Sequence, residues 1–207
     1  MRTDAKAVRE AFRASAAAFV ELVCCADTAV MDRQALGVWT VRDLVGHASR
    51  ALTTVETYLG KAAAGATLDG PVDYVLAARA ALADPEAVAQ RGRDAGAAFG
   101  DDPGLRVAEL VERVTALVDG SADDTPVGTP IGTMTLAAYL PTRTFELTVH
   151  SLDLARALDA DPPSGLATGI AAACELAGRL AAFSTDPAAF LLAATGRAGL
   201  PPGFTVL

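Results

Sequence analysis

The sequence predicts an all-α protein, a bundle of helices, and three observations carry that reading. Alanine, the strongest helix former, makes up more than a fifth of the 207 residues. Aromatic residues are only 5%, and period-two runs of β-branched and aromatic residues, the mark of half-buried strands, are nearly absent. Apolar residues recur instead at steps of three and four, in stretches divided by Gly- and Pro-bearing breaks.

Taken in order, the first helix is expected after Thr3 and on to about Thr28, with Val8, Phe12, Phe19, Val20 and Val23 as its apolar stripe. Residues 29–39 read as a connection ending at Trp39, a hydrophobic staple partner or core plug. Thr40 and Asp43 form a capping-box pattern in which hydroxyl and carboxylate satisfy free N–H groups, so a second helix opens there. Val41, Leu44, Val45, Ala48, Leu52, Val55 and Leu59 give it one buried face up to Gly60. Residues 60–71 are Gly/Ala-rich and read as a loop.

A third helix is expected over 72–83. Pro85–Phe99 continues that rod with a kink, since proline fits a first helical turn. A turn at Gly100–Pro103 precedes a helix over Leu105–Val118. Residues 119–133 carry repeated Gly and Pro interruptions and read as a long loop that can act as a lid. Thr135 caps a helix to about Leu158, kinked at Pro141. Helices near Leu166–Phe183 and Pro187–Thr195 follow, and the irregular tail 196–207 ends apolar and is expected to dock on the body. The whole, 1–207, reads as a single domain built on four long antiparallel helices with extra short ones.

Charge and cysteine usage narrow the function classes. Lys+Arg number 17 against 25 Asp+Glu, a net charge of −8, with a pI near 4.7. That balance and the lack of a basic recognition helix argue against nucleic-acid binding and a transcriptional role. No apolar run is long enough for a membrane span and the first residues lack a signal-peptide core, so a cytoplasmic protein is expected. Three cysteines, Cys24 and Cys25 adjacent, suit a reducing compartment and read as small core residues. Arginine far outnumbers lysine, the bias of a GC-rich genome.

Only two histidines occur, His47 and His150, each inside an expected long helix. Glu146 and His150 lie about 40° apart on the helical wheel, Asp153 within about 20° of Glu146 and Arg143 within about 60° of it. Four strongly polar side chains thus share one stripe, flanked by Phe145, Val149 and Leu152. Buried charge must be paired or metal-bound. If the two helices are neighbours, His47, Glu146 and His150 converge, and two imidazoles with a carboxylate form a catalytic zinc set with one open position. The competing reading is a solvated i,i+4 pair and a half-buried histidine.

The segment Trp39–His47, followed by Arg143, Glu146, His150 and Asp153-Leu154-Ala155, resembles the mycothiol-dependent maleylpyruvate isomerase family, one of the DinB-like metal-binding four-helix bundles. The ending Thr195-Gly196-Arg197 with Leu200-Pro201 is similar to that of its shorter members. The resemblance implies a divalent metal, usually zinc, on His47, Glu146 and His150. It implies a thiol cofactor, mycothiol, partly held by Asp153, and an actinobacterial source. The metal would keep the thiol as thiolate for attack on an electrophilic small molecule, with Asp153 orienting His150 or the cofactor. Arg143 would pair with Glu146 or a substrate carboxylate. Met31–Val38 lacks the family's Pro-Thr-x-Cys-type segment, and 207 residues leave no room for the full-length isomerase's additional carboxy-terminal domain. A generic thiol-dependent transferase or isomerase, monomer or homodimer, is therefore the expectation. A non-catalytic metal-binding or ligand-sequestering bundle is the alternative.

Overall fold

The computed structural model describes residues 4–61, 67–81 and 84–207. The expected loop 60–71 and the end of the third helix lie partly outside those residues. Among the described residues the chain is all-α, with eight α-helices and two small hairpins. In chain order these are α1 (Ala5–Cys25), β1 (Gln34–Leu36), β2 (Trp39–Thr40), α2 (Val41–Tyr58), α3 (Pro71–Ala81), α4 (Pro85–Ala97) and α5 (Pro103–Asp119). Then come β3 (Pro126–Thr129), β4 (Gly132–Thr135), α6 (Leu136–Ala157), α7 (Ala167–Ala181) and α8 (Pro187–Ala194).

Four helices close a square: α1 packs on α6, α6 on α2, α2 on α5, and α5 back on α1. Their inward stripes make the core, with Phe12 and Phe19 from α1, Leu44 and Leu52 from α2, Val114 from α5, and Tyr139 and Leu147 from α6. Each stripe repeats at three or four residues because one helical face alone can leave water. A smaller cluster under α7 joins Val72, Phe145, Leu176 and Leu180. Val206 packs against it, and Phe204 stacks on Phe190 at 6.4 Å, so the tail lies on the body.

Caps fix where the site-bearing helices begin. Thr40 Oγ1 accepts from the Asp43 amide at 3.3 Å while Asp43 Oδ2 accepts from the Thr40 amide at 3.0 Å, a complete capping box at the start of α2. Thr135 Oγ1 accepts from the Ala138 amide at the start of α6. Pro141 lies inside α6, which is helical without interruption from Leu136 to Ala157.

Glycines set how closely the outer helices approach. A Cβ at Gly46 of α2 would fall 2.1 Å from the Gly96 nitrogen and 2.4 Å from the Gly92 carbonyl oxygen of α4. The two backbones therefore touch directly, and α4 is held against the outer side of α2 next to His47. Likewise a Cβ at Gly169 would meet Ser15 Oγ at 2.1 Å, beside the Ser15–Thr148 hydrogen bond (3.0 Å) that ties α1 to α6.

Four expectations change. The connection 29–39 contains the β1–β2 hairpin, with Leu36 paired to Trp39 around Gly37 at φ 55°. The long loop 119–133 contains the β3–β4 hairpin, paired from Pro126–Thr135 to Thr129–Gly132. Its backbone groups find partners in its own ladder and on α2's end, where the Gly60 amide donates to the Pro126 carbonyl at 2.8 Å. The third and fourth helices are not one kinked rod: Asp84 caps α4 afresh, and α4 lies on α2 whereas α3 lies on α6 and α7. The cysteines are exposed, not core. Cys24 and Cys25 follow Val23, the last buried residue of α1, and Cys174 is rotated off the face that buries Ala173.

Candidate metal centre

The site forms where α2 and α6 face each other. His47 lies one turn after the capping-box Asp43, so the same residues that start α2 set the angular position of its imidazole. Glu146 and His150 lie one turn apart on α6. One ligand atom from each of the three residues falls within 4.8 Å of the other two. Donors held about 2.0–2.2 Å from one zinc ion lie roughly 3.3–3.6 Å apart, so small side-chain rotations bring these three onto a single ion, and imidazole nitrogen with carboxylate oxygen is the donor set of zinc and its neighbours.

Each donor has its own restraint. His150 Nδ1 meets Asp153 Oδ2 at 3.2 Å, and His150 Nε2 meets Glu146 Oε2 at 3.4 Å. The first contact turns Nε2 toward the shared point, the way a carboxylate fixes the tautomer and orientation of a metal-binding histidine. The indole of Trp39 packs on the His47 ring at 4.3 Å, tilted by 31°, and is pinned by its own Nε1–H donating to the Ala89 carbonyl of α4 at 3.2 Å. Among the described residues the buried His47 Nδ1 has no hydrogen-bond partner. A buried orphan nitrogen is costly unless something satisfies it, so the donor set fits a cation.

The electrostatics divide the two imidazoles. Burial, then the neighbouring His150, lower the His47 pKa to about 4, so its ring is neutral and ready to donate a lone pair. Burial also opposes charge on His150, but the hydrogen bonds it donates to the Asp153 and Glu146 carboxylates outweigh it and raise the pKa to about 9. Burial works against the Glu146 carboxylate too, and His150 and Arg143 overcome it, holding the pKa at about 2. In the metal-free protein the His150 proton therefore takes the place of a cation between the carboxylates.

His47 and Glu146 line a cavity of about 600 Å³. Arg143 lines it as well, buried, with its guanidinium 4.9 Å from the centre of the Tyr139 ring and 5.4 Å from that of Tyr74. Of the sequence-singled residues, His47, Glu146 and His150 come together and Asp153 touches His150. Arg143 departs from the expected ion pair: among the described residues no carboxylate lies within salt-bridge distance of it, because the two tyrosine faces and the Thr142 hydroxyl (3.0 Å) hold it. Its charge still acts on Glu146.

Sequence reasoning missed the Trp39–His47 stack and most of the cavity wall: Arg50, Tyr74, Arg79, Arg91 and the hairpin tip Pro130-Ile131. Arg50 was findable, since it lies one turn beyond His47 on α2. Arg79 and Arg91 sit on α3 and α4, and nothing local signals that these short helices turn toward the site.

Compared with known proteins, residues 9–155 match the family described as mycothiol maleylpyruvate isomerase N-terminal domain. No curated protein and no solved structure matches the chain.

Proposed function

The chain belongs to the mycothiol maleylpyruvate isomerase N-terminal domain family, and from that premise we propose that it is a metal- and thiol-dependent transferase or isomerase. His47, Glu146 and His150 hold a divalent ion, zinc by donor chemistry, with mycothiol as the thiol co-substrate. The observation that carries this is the convergence of those three side chains from α2 and α6 within 4.8 Å.

When bound, the ion supplies Lewis acidity that keeps a coordinated thiol as thiolate near neutral pH. The chain does the rest. Asp153 holds His150 Nδ1, fixing the ring so that Nε2 faces Glu146. Trp39 covers the His47 ring and limits its rotation. The Glu146 side of the cavity is where an electrophile would lie beside the thiol, and Arg143 presents positive charge there. A sequestering protein needs only the three ligands. A cavity of about 600 Å³ opening on two of them, within the size range of small-molecule sites, favours turnover. No helix among the described residues is long and apolar enough to cross a membrane, consistent with action on small soluble molecules.

Metal analysis of the purified chain beside His47→Ala and His150→Ala tests the centre. One equivalent of metal in the wild type, lost in both variants, is expected. Metal retained in either variant, or absent from the wild type after loading, would overturn it. A rise in the melting temperature of metal-loaded protein with mycothiol but not glutathione is expected for the thiol.

A further inference from the structure

The last stretch of the chain meets solvent differently from the rest. Among the described residues α8 is the one α-helix with no buried side chain, and no residue from 182 to 207 is buried. Five of the eight large apolar side chains left exposed lie there: Phe183, Leu191, Leu192, Leu200 and Leu207.

The two faces of α8 differ. Ala189, Phe190 and Ala193 are half-buried, and the tail's Phe204 stacks on Phe190. Ala188, Leu191, Leu192 and Thr195 form the opposite face, three, four and seven residues apart from the first. All four are exposed, Leu191 by 63% and Leu192 by 44%. The Thr195 hydroxyl is already taken up, donating to the Leu191 carbonyl at 2.6 Å. A helix face turned to water is ordinarily polar, whereas this apolar spacing is that of a helix packed against another helix.

Charge says which partner fits. The chain as a whole carries a net charge of −8, yet residues 182–207 hold one charge of each sign, Asp186 and Arg197. Leu191 comes five residues after Asp186, and Arg197 five after Leu192, so the two charges bracket the leucine pair evenly. Both are held in place: Asp186 Oδ1 accepts from the Ala189 amide at 2.9 Å, and the Arg197 amide donates to the Leu192 carbonyl at 2.8 Å. Among the described residues neither has an opposite charge within salt-bridge distance. Two such helices packed antiparallel about a two-fold axis at Leu191–Leu192 bring Asp186 of each copy to the Arg197 end of the other. A bilayer surface fits less well, because helices that lie on membranes carry Lys and Arg on a polar face and α8 carries no charge. A standard interface takes roughly 20–30 residues from each side, and 182–207 is a stretch of that length.

We propose that the outer face of α8 is a homodimer interface, covered by the same face of a second copy of this chain in antiparallel, two-fold arrangement. The interface stands apart from the thiol-transfer reading, because none of Asp186, Ala188, Leu191, Leu192, Thr195 and Arg197 lines the cavity at the metal centre.

Sedimentation equilibrium of the full-length chain, loaded from about 1 to 100 μM, tests it. A species of twice 21.1 kDa is expected, with a Kd in the micromolar range or tighter. Leu191→Glu and Leu192→Glu should each raise Kd by at least about tenfold with helical content unchanged by circular dichroism. Leu105→Glu, at a 51% exposed position of α5, should leave it as in the wild type. Arg197→Glu should weaken the dimer more at low salt than at high salt, since it sets acid against Asp186. Should Leu192→Glu lose helical content, Ala188→Glu on the same face decides. A monomer at the highest loading, or a dimer unmoved by the α8 variants, overturns the proposal. A dimer indifferent to Arg197→Glu at low salt overturns its antiparallel arrangement. Co-sedimentation of a monomer with phosphatidylglycerol vesicles, lost in Leu191→Glu, would make lipid the occupant and overturn it as well.

Discussion

The imidazoles of His47 and His150 stand 4.8 Å apart, centre to centre, with their planes at 82°. They come from different helices, and their proton affinities differ by design of their surroundings: one is neutral down to about pH 4, the other charged up to about pH 9. A pair so arranged carries one proton, on the His150 side, across the physiological range.

Metal uptake should therefore release one proton. Ligand imidazoles must be neutral, and only His150 has to lose its proton between about pH 5 and pH 8. Apparent zinc affinity is expected to rise about tenfold per pH unit across that window, flattening above about pH 9. Calorimetric titration in buffers of different ionisation enthalpy counts the protons. Zero or two protons would contradict the assigned states.

Stability of the metal-free chain should peak near the ordinary histidine pKa. His150, raised to about 9, contributes stability that is complete below about pH 6.5 and is lost as the pH climbs to 9. His47, lowered to about 4, has the opposite sign: the unfolded chain takes up its proton first, so stability falls as the pH drops from about 6.5 to 4. Glu146, held at about 2, adds a loss only below about pH 4.5. Melting temperature against pH in chelator should show both limbs, and His150→Gln should flatten the alkaline one.

Replacing Asp153 by Asn keeps the size of the side chain but removes the charge on His150 Nδ1. Zinc affinity at pH 8 is expected to fall by about 10–100-fold, the usual effect of losing a carboxylate behind a metal-bound histidine. The pH at which affinity stops rising should also move down, since His150 loses its main stabilising hydrogen bond. Unchanged affinity with an unchanged plateau would show that Asp153 does not position the ring.

The sole tryptophan reports on the site directly. Trp39 lies 4.3 Å from His47 and 6.5 Å from His150, centre to centre. Its emission should change in a single saturable step on zinc addition and be insensitive to zinc in His47→Ala. An emission change that persists in that variant would place the ion elsewhere.

What could be read from the sequence was what repeats along one helix. Thr40 and Asp43 mark the start of α2 by local chemistry alone, and Glu146, His150 and Asp153 share a face by spacing alone. The meeting of His47 with them needed α2 and α6 to be neighbours, which the segment's family resemblance implied and periodicity could not. Arg79 and Arg91 of the cavity wall were hidden because α3 and α4 are placed by contacts distant in sequence: Trp39 to Ala89, and Gly46 to Gly92 and Gly96. The hairpin at 126–135 was hidden for a related reason. Its strands are four residues each and its glycines and proline read as loop, while its stabilising partner, the end of α2, is far away in the chain.

Gly46 ties that hidden packing to the metal centre. A Cβ there would press on α4 backbone atoms at 2.1 and 2.4 Å, and backbone, unlike a flexible side chain, cannot swing aside. Gly46→Ala should therefore push α2 and α4 apart at a cost of at least about 3 kcal/mol, the upper end of overpacking penalties. Gly178 on α7 is the control, since a Cβ there meets nothing within 4 Å; Gly178→Ala should stabilise by roughly 0.5–1 kcal/mol through helix propensity. Because Ala89, which holds Trp39, also sits on α4, separation of the helices should free the indole from His47. Denaturant melts with the emission of Trp39 as a second probe test both halves of the claim. Gly46→Ala with wild-type stability would mean that the α2–α4 crossing does not depend on the close approach of Gly46 to Gly92 and Gly96.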